Sequence, residues 1–377
     1  MKYYLIAGEA SGDLHASNLM KEILRLDEDA DFRYWGGDLM KQQGGTLVKH
    51  YRELAFMGFL EVLLNLPTIL MNLESCKQDI REFHPDVVIL VDYPGFNLRM
   101  SKYVKSLHIP VYYYISPQLW AWNSLRVKTI KKYVDKMFVV LPFEKEFYGR
   151  YQFPVEFHGH PLLDVINPAM KLAEKESFLK TNNLDGRPII ALLPGSRKQE
   201  IKTILKEMLQ TIPAFPGHQF VIAGAPSIPV SFYSEIIANC KVSIVFQQTY
   251  DLLHHADAAL VTSGTATLET ALMSVPQVVC YKGNPLSYMI ARQVVKVKFI
   301  SLVNLIMNRM IVSELIQAKL NRNNLITELG KILNDPETRH RIHSDYMDLR
   351  LKLGGEGASA KAARKMIQYL TKTEVLK

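Results

Sequence analysis

Two stretches of this chain place Gly, Ser or Thr beside a charged residue just after an apolar run, a pattern suited to an anionic ligand. In LPGSRKQEI (Leu193–Ile201), Gly195 lets backbone N–H groups approach an anion and Ser196 adds a hydroxyl. The following helix start contributes partial positive charge, and the guanidinium of Arg197 can fork onto phosphate oxygens. The alternative is an ordinary helix start with a surface arginine. SGTATLETA (Ser263–Ala271) repeats the logic. Gly264, Thr265 and Thr267 offer donors at a helix start, and Glu269 can accept the two hydroxyls of a ribose. Ser or Thr followed by Glu is also common in plain helix capping. Together the two units favour a nucleoside diphosphate. No G-x-G-x-x-G follows the strand before PGSR and no G-x-x-x-x-G-K-[ST] occurs, which weighs against a dehydrogenase and a P-loop ATPase.

Two further turns are acidic. In AGEASGDLH (Ala7–His15), Gly8 and Gly12 permit close backbone approach. Glu9 and Asp13, with Ser11 between them, point to sugar hydroxyls rather than a pyrophosphate, or else to helix capping. In VDYPGFN (Val91–Asn97), Asp92 is the first residue beyond an apolar run, where a partly desolvated carboxylate could act as general base on a sugar hydroxyl. Its alternative is a cap for the next helix. Asn97 is a further polar candidate on this acceptor side. SPQLWAWNSLR (Ser116–Arg126) adds Ser116, Trp120, Trp122 and Arg126, which suit a sugar and its phosphate, although loop tryptophans more often pack than stack on ligands. His158 and His160 in FHGHP lack a third partner at metal-ligand spacing, so a structural or orienting role is expected there and no metal.

These turns need buried strands to position them. Tyr3–Ala7, Phe32–Trp35, Val87–Val91, Val111–Ile115 and Met137–Leu141 are apolar runs ending in Gly, Pro or polar residues. A polar stretch, Pro161–Asn183, carries no strand signal. A second series follows: Ile189–Leu193, Phe220–Ala223, Val242–Val245, Ala258–Val261 and Gln277–Cys280. Uniformly apolar, β-branched runs are strands buried on both faces of a parallel sheet, whose ligands sit beyond the carboxyl ends. The expectation is an α/β protein of two doubly wound, Rossmann-like domains with a cleft between them. Residues 1–165 form the first, 166–345 the second, and 346–377 a helical tail. A length of 377 residues, 48% apolar and 22% charged, accommodates this and excludes disorder, collagen and coiled coil.

Three distant cysteines exclude a disulfide scaffold and fit a reducing cytosol, and the net charge of +8 suits an anionic partner. The N-terminal apolar run is too short for a signal peptide. Met57–Leu73 is the most apolar stretch, but Glu61, Asn65, Pro67 and Asn72 interrupt it, so it does not span a bilayer. Its Met57, Phe59, Leu63, Leu64, Leu66, Ile69 and Leu70 cover more than one helical face. With the basic runs Arg126–Lys136 and Arg292–Lys298, they suit an anionic membrane or an acyl chain, a buried helix being the alternative. No aromatics interleave with those basic runs as stacking platforms, so no nucleic-acid partner is expected.

Taken in order, AGEASGDLH, MGFLEVL, DYPGFN, SPQLWAW, LPFEKEFY, GHP, LLPGSR, SGTATLE and SLVNLIMNRMIVSELIQ (Ser301–Gln317) resemble the lipid-A-disaccharide synthases, and GGEGASAKAA fits that family's tail. SGTATLE-like turns recur across nucleotide-sugar enzymes; the ordered set is what is specific. The resemblance implies a GT-B fold and a glycosyltransferase of lipopolysaccharide synthesis, peripheral on the cytoplasmic face of the inner membrane. It implies an inverting, metal-independent joining of UDP-2,3-diacylglucosamine to 2,3-diacylglucosamine 1-phosphate (lipid X), with no cofactor. By position, Gly195, Ser196 and Arg197 would meet the diphosphate, Gly264, Thr265 and Thr267 would face phosphate, and Glu269 would hold the ribose. Asn304 would be a further UDP contact. Asp92 stands at the family's essential aspartate, and the Met57 stretch matches the acyl- and membrane-contacting region. The chain departs from the family at Gly95, where a second acid is common, and in NRMIVSELIQ, where NREIVPELLQ is frequent. A non-hydrolysing UDP-GlcNAc epimerase would share fold and UDP site and is the alternative; it needs no acyl patch.

Overall fold

The computed structural model describes residues 1–54, 66–122, 126–167, 169–238, 240–284, 288 and 297–374. The apolar runs of the first half become strands β1 (Lys2–Ala7), β2 (Asp31–Gly36), β4 (Val87–Val91), β5 (Val111–Tyr114) and β6 (Lys136–Val139). Two further strands, β3 (Thr46–His50) and β7 (Glu156–Phe157), complete a parallel sheet of order β3-β2-β1-β4-β5-β6-β7. Side chains alternate between its faces, as strand geometry requires. Tyr4, Ile6, Val88, Leu90 and Tyr113 enter one core with the helix Pro94–Ser106. Tyr3, Leu5, Val87, Ile89 and Tyr112 enter the other with the helix Ala10–Leu24.

The second half repeats the plan. Strands β8 (Ile189–Leu193), β9 (Gln219–Gly224), β10 (Ser243–Phe246), β11 (Ala256–Thr262), β12 (Gln277–Tyr281) and β13 (Ser313–Ile316) form a parallel sheet of order β10-β9-β8-β11-β12-β13. The two sheets match the expected α/β, Rossmann-like pair. β3 and β13 are not visible as apolar runs because both are edge strands. β3 has no buried residue and β13 only Leu315, and polar residues such as Lys49 and Glu314 are tolerated there.

By compactness the chain divides into Met1–Asp164 with Leu353–Lys377, and Val165–Lys352. The span 346–377 is therefore not one tail. Its start lies inside the helix Pro336–Lys352, which belongs to the second unit. The last helix, Ala358–Glu374, buries Ala362, Ala363, Met366 and Leu370 in the first unit's core beside the helix Ala10–Leu24. Asp164 fixes its start, accepting the N–H groups of Gly357 (2.7 Å), Ala358 (3.1 Å) and Ser359 (2.8 Å). Those are donors that a helix cannot satisfy internally.

Among the described residues no helix is long and apolar enough to cross a membrane. Met57, Phe59, Leu63 and Leu64 lie outside the described residues, as do the side chains of Leu66 and Trp122. What remains of the apolar stretch splits. On the helix Leu66–Phe83, Ile69 packs against the first unit's core, whereas Leu70 (57% exposed) and the next residue, Met71 (64%), face solvent.

Replacing Asp164 with Ala should cost about 2 kcal/mol, the scale of a lost helix cap with unsatisfied donors. Hydrogen exchange should show the loss in the last helix, with the second unit's sheet amides unchanged. Unaltered protection of the last helix would mean that its apolar face alone holds it.

Candidate functional site

In each sheet the strand order reverses once, between β1 and β4 and between β8 and β11. Such reversals are where open parallel sheets bind ligands. Four of the turns singled out by residue type follow these four strands, and Ser116–Arg126 follows β5.

In the first unit, Ala7 pairs with Val91, so the turns after β1 and β4 are neighbours. They touch: a Cβ on Gly8 would stand 2.4 Å from the Tyr93 ring, so any side chain there would force that ring to move. Asp92 and Tyr93 both adopt left-handed backbone, with φ of 45° and 48°, which is costly for residues with a Cβ. The neighbours over-determine this geometry. Asp92 N–H donates to Tyr114 O (3.1 Å), and the Tyr113 hydroxyl donates to Asp92 O. The amide of Asn97 donates to Asp92 O (2.8 Å), Val91 O (3.2 Å) and Ile6 O (3.3 Å). Burial pushes the Asp92 carboxyl up to about 7; the charges of Glu9 and Glu144 add to this, and the Tyr93 N–H opposes it. Asp92 is not the helix cap, because Tyr93 occupies that position.

Other acceptor-side candidates sort by exposure. Glu9 is half-buried at the start of the helix Ala10–Leu24 without capping it through its side chain, and Ser11 is exposed on the first turn. Arg126 is half-buried at the start of the helix Val127–Tyr133. Asp13 is buried and accepts the N–H groups of Gly37, Leu39 and Met40. Asn97 and Ser116 differ from expectation. Asn97 is fully buried as the backbone clamp, and buried Ser116 gives its hydroxyl to Glu144. Both position other groups rather than face a sugar. His160 is also structural: its Nδ1 accepts the N–H of Leu162 (3.2 Å), and burial pushes its pKa down to about 3.

In the second unit, Leu193 pairs with Val261, which brings the turns after β8 and β11 together. Gly195 has φ of 113°, and a Cβ there would meet a Glu200 carboxylate oxygen at 2.3 Å. Burial raises the Glu200 carboxyl, while the Arg197 charge and the N–H groups of Ser196 and Arg197 oppose that shift. Part of the anion-binding capacity expected of this turn is therefore directed at the chain's own carboxylate. Ser196 and Arg197 remain exposed at the start of the helix Lys198–Leu209.

Across from them, Gly264 and Thr265 are exposed at the start of the helix Thr265–Leu272. Thr267 does not join them: it is fully buried and its hydroxyl donates to Gly264 O (2.8 Å). Nor does Asn304 face a ligand. Its Oδ1 accepts Ile311 and Val312 N–H, and its Nδ2 donates to Val312 O and Glu314, which uses its full hydrogen-bonding capacity inside the fold. Glu269 lies beside a cavity of about 350 Å³ between residues 170–172 and 247–251. Burial raises its pKa, and one oxygen accepts the Tyr250 hydroxyl at 2.9 Å. The Gln247–Gln248 turn follows the Val242–Val245 run, but Tyr250 just beyond it escaped notice in the sequence, although it follows β10 as the other site residues follow their strands. Glu144 also escaped, hidden at the start of a short helix.

The Asp92 carboxyl links to stability. An acid whose pKa is higher folded than unfolded destabilises the fold in its charged form. That penalty is complete above about 7 and disappears as pH falls towards the unfolded value near 3.8. Asp92→Asn should therefore stabilise the protein at pH 8, by on the order of 2–4 kcal/mol, with a smaller gain at pH 5. Denaturant melts at both values check this; an equal effect at the two pH values would contradict a raised pKa.

Comparisons with known proteins bear on the fold and the family. The family model for lipid-A-disaccharide synthetase matches residues 3–368. The lipid-A-disaccharide synthase of Geobacter sulfurreducens is 37% identical over 98% of this chain and 97% of its own length. That of Syntrophus aciditrophicus is 38% identical over 98% of both. Among solved structures, an S. aureus MnaA–UDP co-structure superposes with a TM-score of 0.68 at 12% identity, over 98% of this chain and 97% of that one. The calicheamicin glycosyltransferase CalG4 gives 0.60 at 16% identity, over 98% of each chain. At those identities the structures establish the fold, which is of the GT-B type. The sequence relatives establish more: the chain belongs to the lipid-A-disaccharide synthase family.

Proposed function

We propose that this protein transfers a 2,3-diacylglucosamine unit from UDP to the 6-hydroxyl of 2,3-diacylglucosamine 1-phosphate. The products are a β-1,6-linked disaccharide 1-phosphate and UDP. The observation that carries the reading is Asp92, a strained carboxylate at a switch point whose pKa is pushed up to about 7. A general base works best when its pKa lies near the operating pH. Asp92 takes the proton of the acceptor hydroxyl as that oxygen attacks the anomeric carbon. The bond from that carbon to the diphosphate breaks, and a single displacement inverts the centre. Glu9 and Ser11, exposed or half-buried on the neighbouring turn, orient the acceptor.

The second unit holds the donor. Glu269 accepts ribose hydroxyls and the cavity beside it takes the nucleoside. The guanidinium of Arg197 and the Gly264–Thr265 helix start supply positive charge to the departing diphosphate, the task a divalent cation performs in other transferases. The acylated substrates place the protein peripherally on the cytoplasmic face of the inner membrane, with Leu70 and Met71 at the lipid.

The decisive experiment supplies both diacyl substrates and identifies products by mass spectrometry, with UDP-GlcNAc alone as the control for epimerisation. Disaccharide 1-phosphate and UDP are expected; epimer from UDP-GlcNAc and no disaccharide would reject the reading. Wild-type kcat/KM should rise with pH to a plateau above about 7, since the base must be ionised. Asp92→Asn should lose at least ~100-fold in kcat while still binding UDP. Arg197→Ala should weaken UDP binding by about tenfold or more, the scale of a charged hydrogen bond.

Membrane association has its own test. The double variant Leu70→Ser, Met71→Ser should bind less to anionic vesicles and keep its melting temperature, because both side chains are exposed. Unchanged partition would remove this helix from the lipid contact.

A further inference from the structure

Glu144 is a buried carboxylate, 1% exposed, that the chemistry above does not use. It opens the helix Glu144–Gly149 just beyond β6. Its oxygens gather four donors from two separate segments. One oxygen accepts the N–H groups of Leu141 (2.9 Å) and Val140 (3.3 Å) at the end of its own strand. The other accepts the Ser116 hydroxyl and the Trp120 indole N–H (3.2 Å) from the loop after β5.

The first pair alone would satisfy a local turn. The second pair does something else: it fastens the carboxyl-end loops of two adjacent strands to each other. β5 is also the strand that holds Asp92, through Tyr114 O and the Tyr113 hydroxyl. One connected set of hydrogen bonds and backbone thus runs from Glu144 through the Ser116–Trp120 loop and β5 to the backbone of Asp92. An apolar residue could fill the same volume without desolvating a charge, but it would leave these donors unpaired and the loop unfastened.

We infer that Glu144 is a positioning residue for the transfer reaction: it ties the Ser116–Trp120 loop to the turn after β6 and so steadies the platform that carries Asp92, touching neither substrate. This rests on the glycosyl-transfer reading above. Burial raises the Glu144 carboxyl to about 7, its donors pull it back, and its charge contributes to the upward shift of Asp92. The titratable groups facing it are Tyr148 on its own helix and Asp92. Glu9, Tyr93 and Tyr113 face Asp92 in turn.

The test measures kcat, both KM values, UDP affinity and melting temperature for the wild-type full chain and for Glu144→Ala, Glu144→Gln, Ser116→Ala and Trp120→Phe. Glu144→Ala should lower kcat by about tenfold or more, the scale of a misplaced catalytic group, with UDP affinity within twofold because the donor binds in the other unit. Glu144→Gln keeps an acceptor oxygen and should recover part of that loss. It should also move the acid limb of the kcat/KM profile to lower pH, because a negative charge near Asp92 is gone. Should Glu144→Ala fail to fold, Ser116→Ala and Trp120→Phe decide. Each removes one donor and leaves the local turn intact, and each should lower kcat about threefold. Wild-type kcat in those two variants, or UDP affinity falling in step with kcat and melting temperature, would overturn the inference. A wild-type protein that forms no disaccharide would instead reject the transfer reading itself.

Discussion

In a doubly wound sheet the helix that follows each strand must leave toward one face, and where the strand order reverses, neighbouring strands send their helices to opposite faces. Here the helix after β1 packs in one core and the helix after β4 in the other. Neither of these two helices then lies across the carboxyl ends of that pair. The first residues beyond them are anchored by fully buried strands at the place where such a fold offers polar side chains to a ligand, and Asp92 and Tyr93 are half-buried there. The same reversal recurs between β8 and β11. Most of the chemistry read from this chain collects on the four turns that follow these strands.

That constraint also explains why Asp92 is built at a cost. Two successive left-handed residues and a desolvated carboxylate beside Glu9 each oppose folding. The surrounding structure offsets them. Asn97 gives its amide to three carbonyls around the strand end, and Gly8 removes the one Cβ that would collide with the Tyr93 ring. Strain held at one point by a buried amide and a missing methyl is how a stable sheet carries a carboxyl whose pKa suits proton transfer. It also means that stability and activity pull in opposite directions at this residue.

Much of this was legible in the sequence because fully buried parallel strands are uniformly apolar and end abruptly. Val87–Val91 announces both its burial and the place where Asp92 must emerge. The edge strands β3 and β13 carry no such signal, since no residue of β3 and only Leu315 of β13 is buried. Polar residues near the turns were harder to read for a related reason. Asn97, Thr267 and Asn304 occupy ligand-like positions in the sequence, but a short polar side chain near a strand end can point at a ligand or at orphaned backbone, and local pattern does not distinguish the two. Only the three-dimensional hydrogen bonds show that all three turn inward. Glu144 and Tyr250 were hidden the other way: their partners, Ser116 and Glu269, lie 28 and 19 residues away along the chain.

The turn after β8 carries the same lesson into mechanism. A glycine-rich loop at a helix start is commonly read as a cradle of free N–H groups for phosphate. Here Glu200 stands against Gly195 and interacts with the N–H groups of Ser196 and Arg197 before any ligand arrives. On the transferase reading, attraction for the diphosphate then rests on the guanidinium of Arg197 and on the exposed Gly264–Thr265 turn rather than on a saturated backbone nest. That division suits a leaving group. A guanidinium on a side chain can follow charge as it moves onto the departing oxygen. A closed nest would hold the donor and the released UDP equally well, and binding that is uniform along the reaction does not accelerate it. The carboxylate beside Gly195 thus occupies part of the backbone's capacity and leaves the charge response to the arginine.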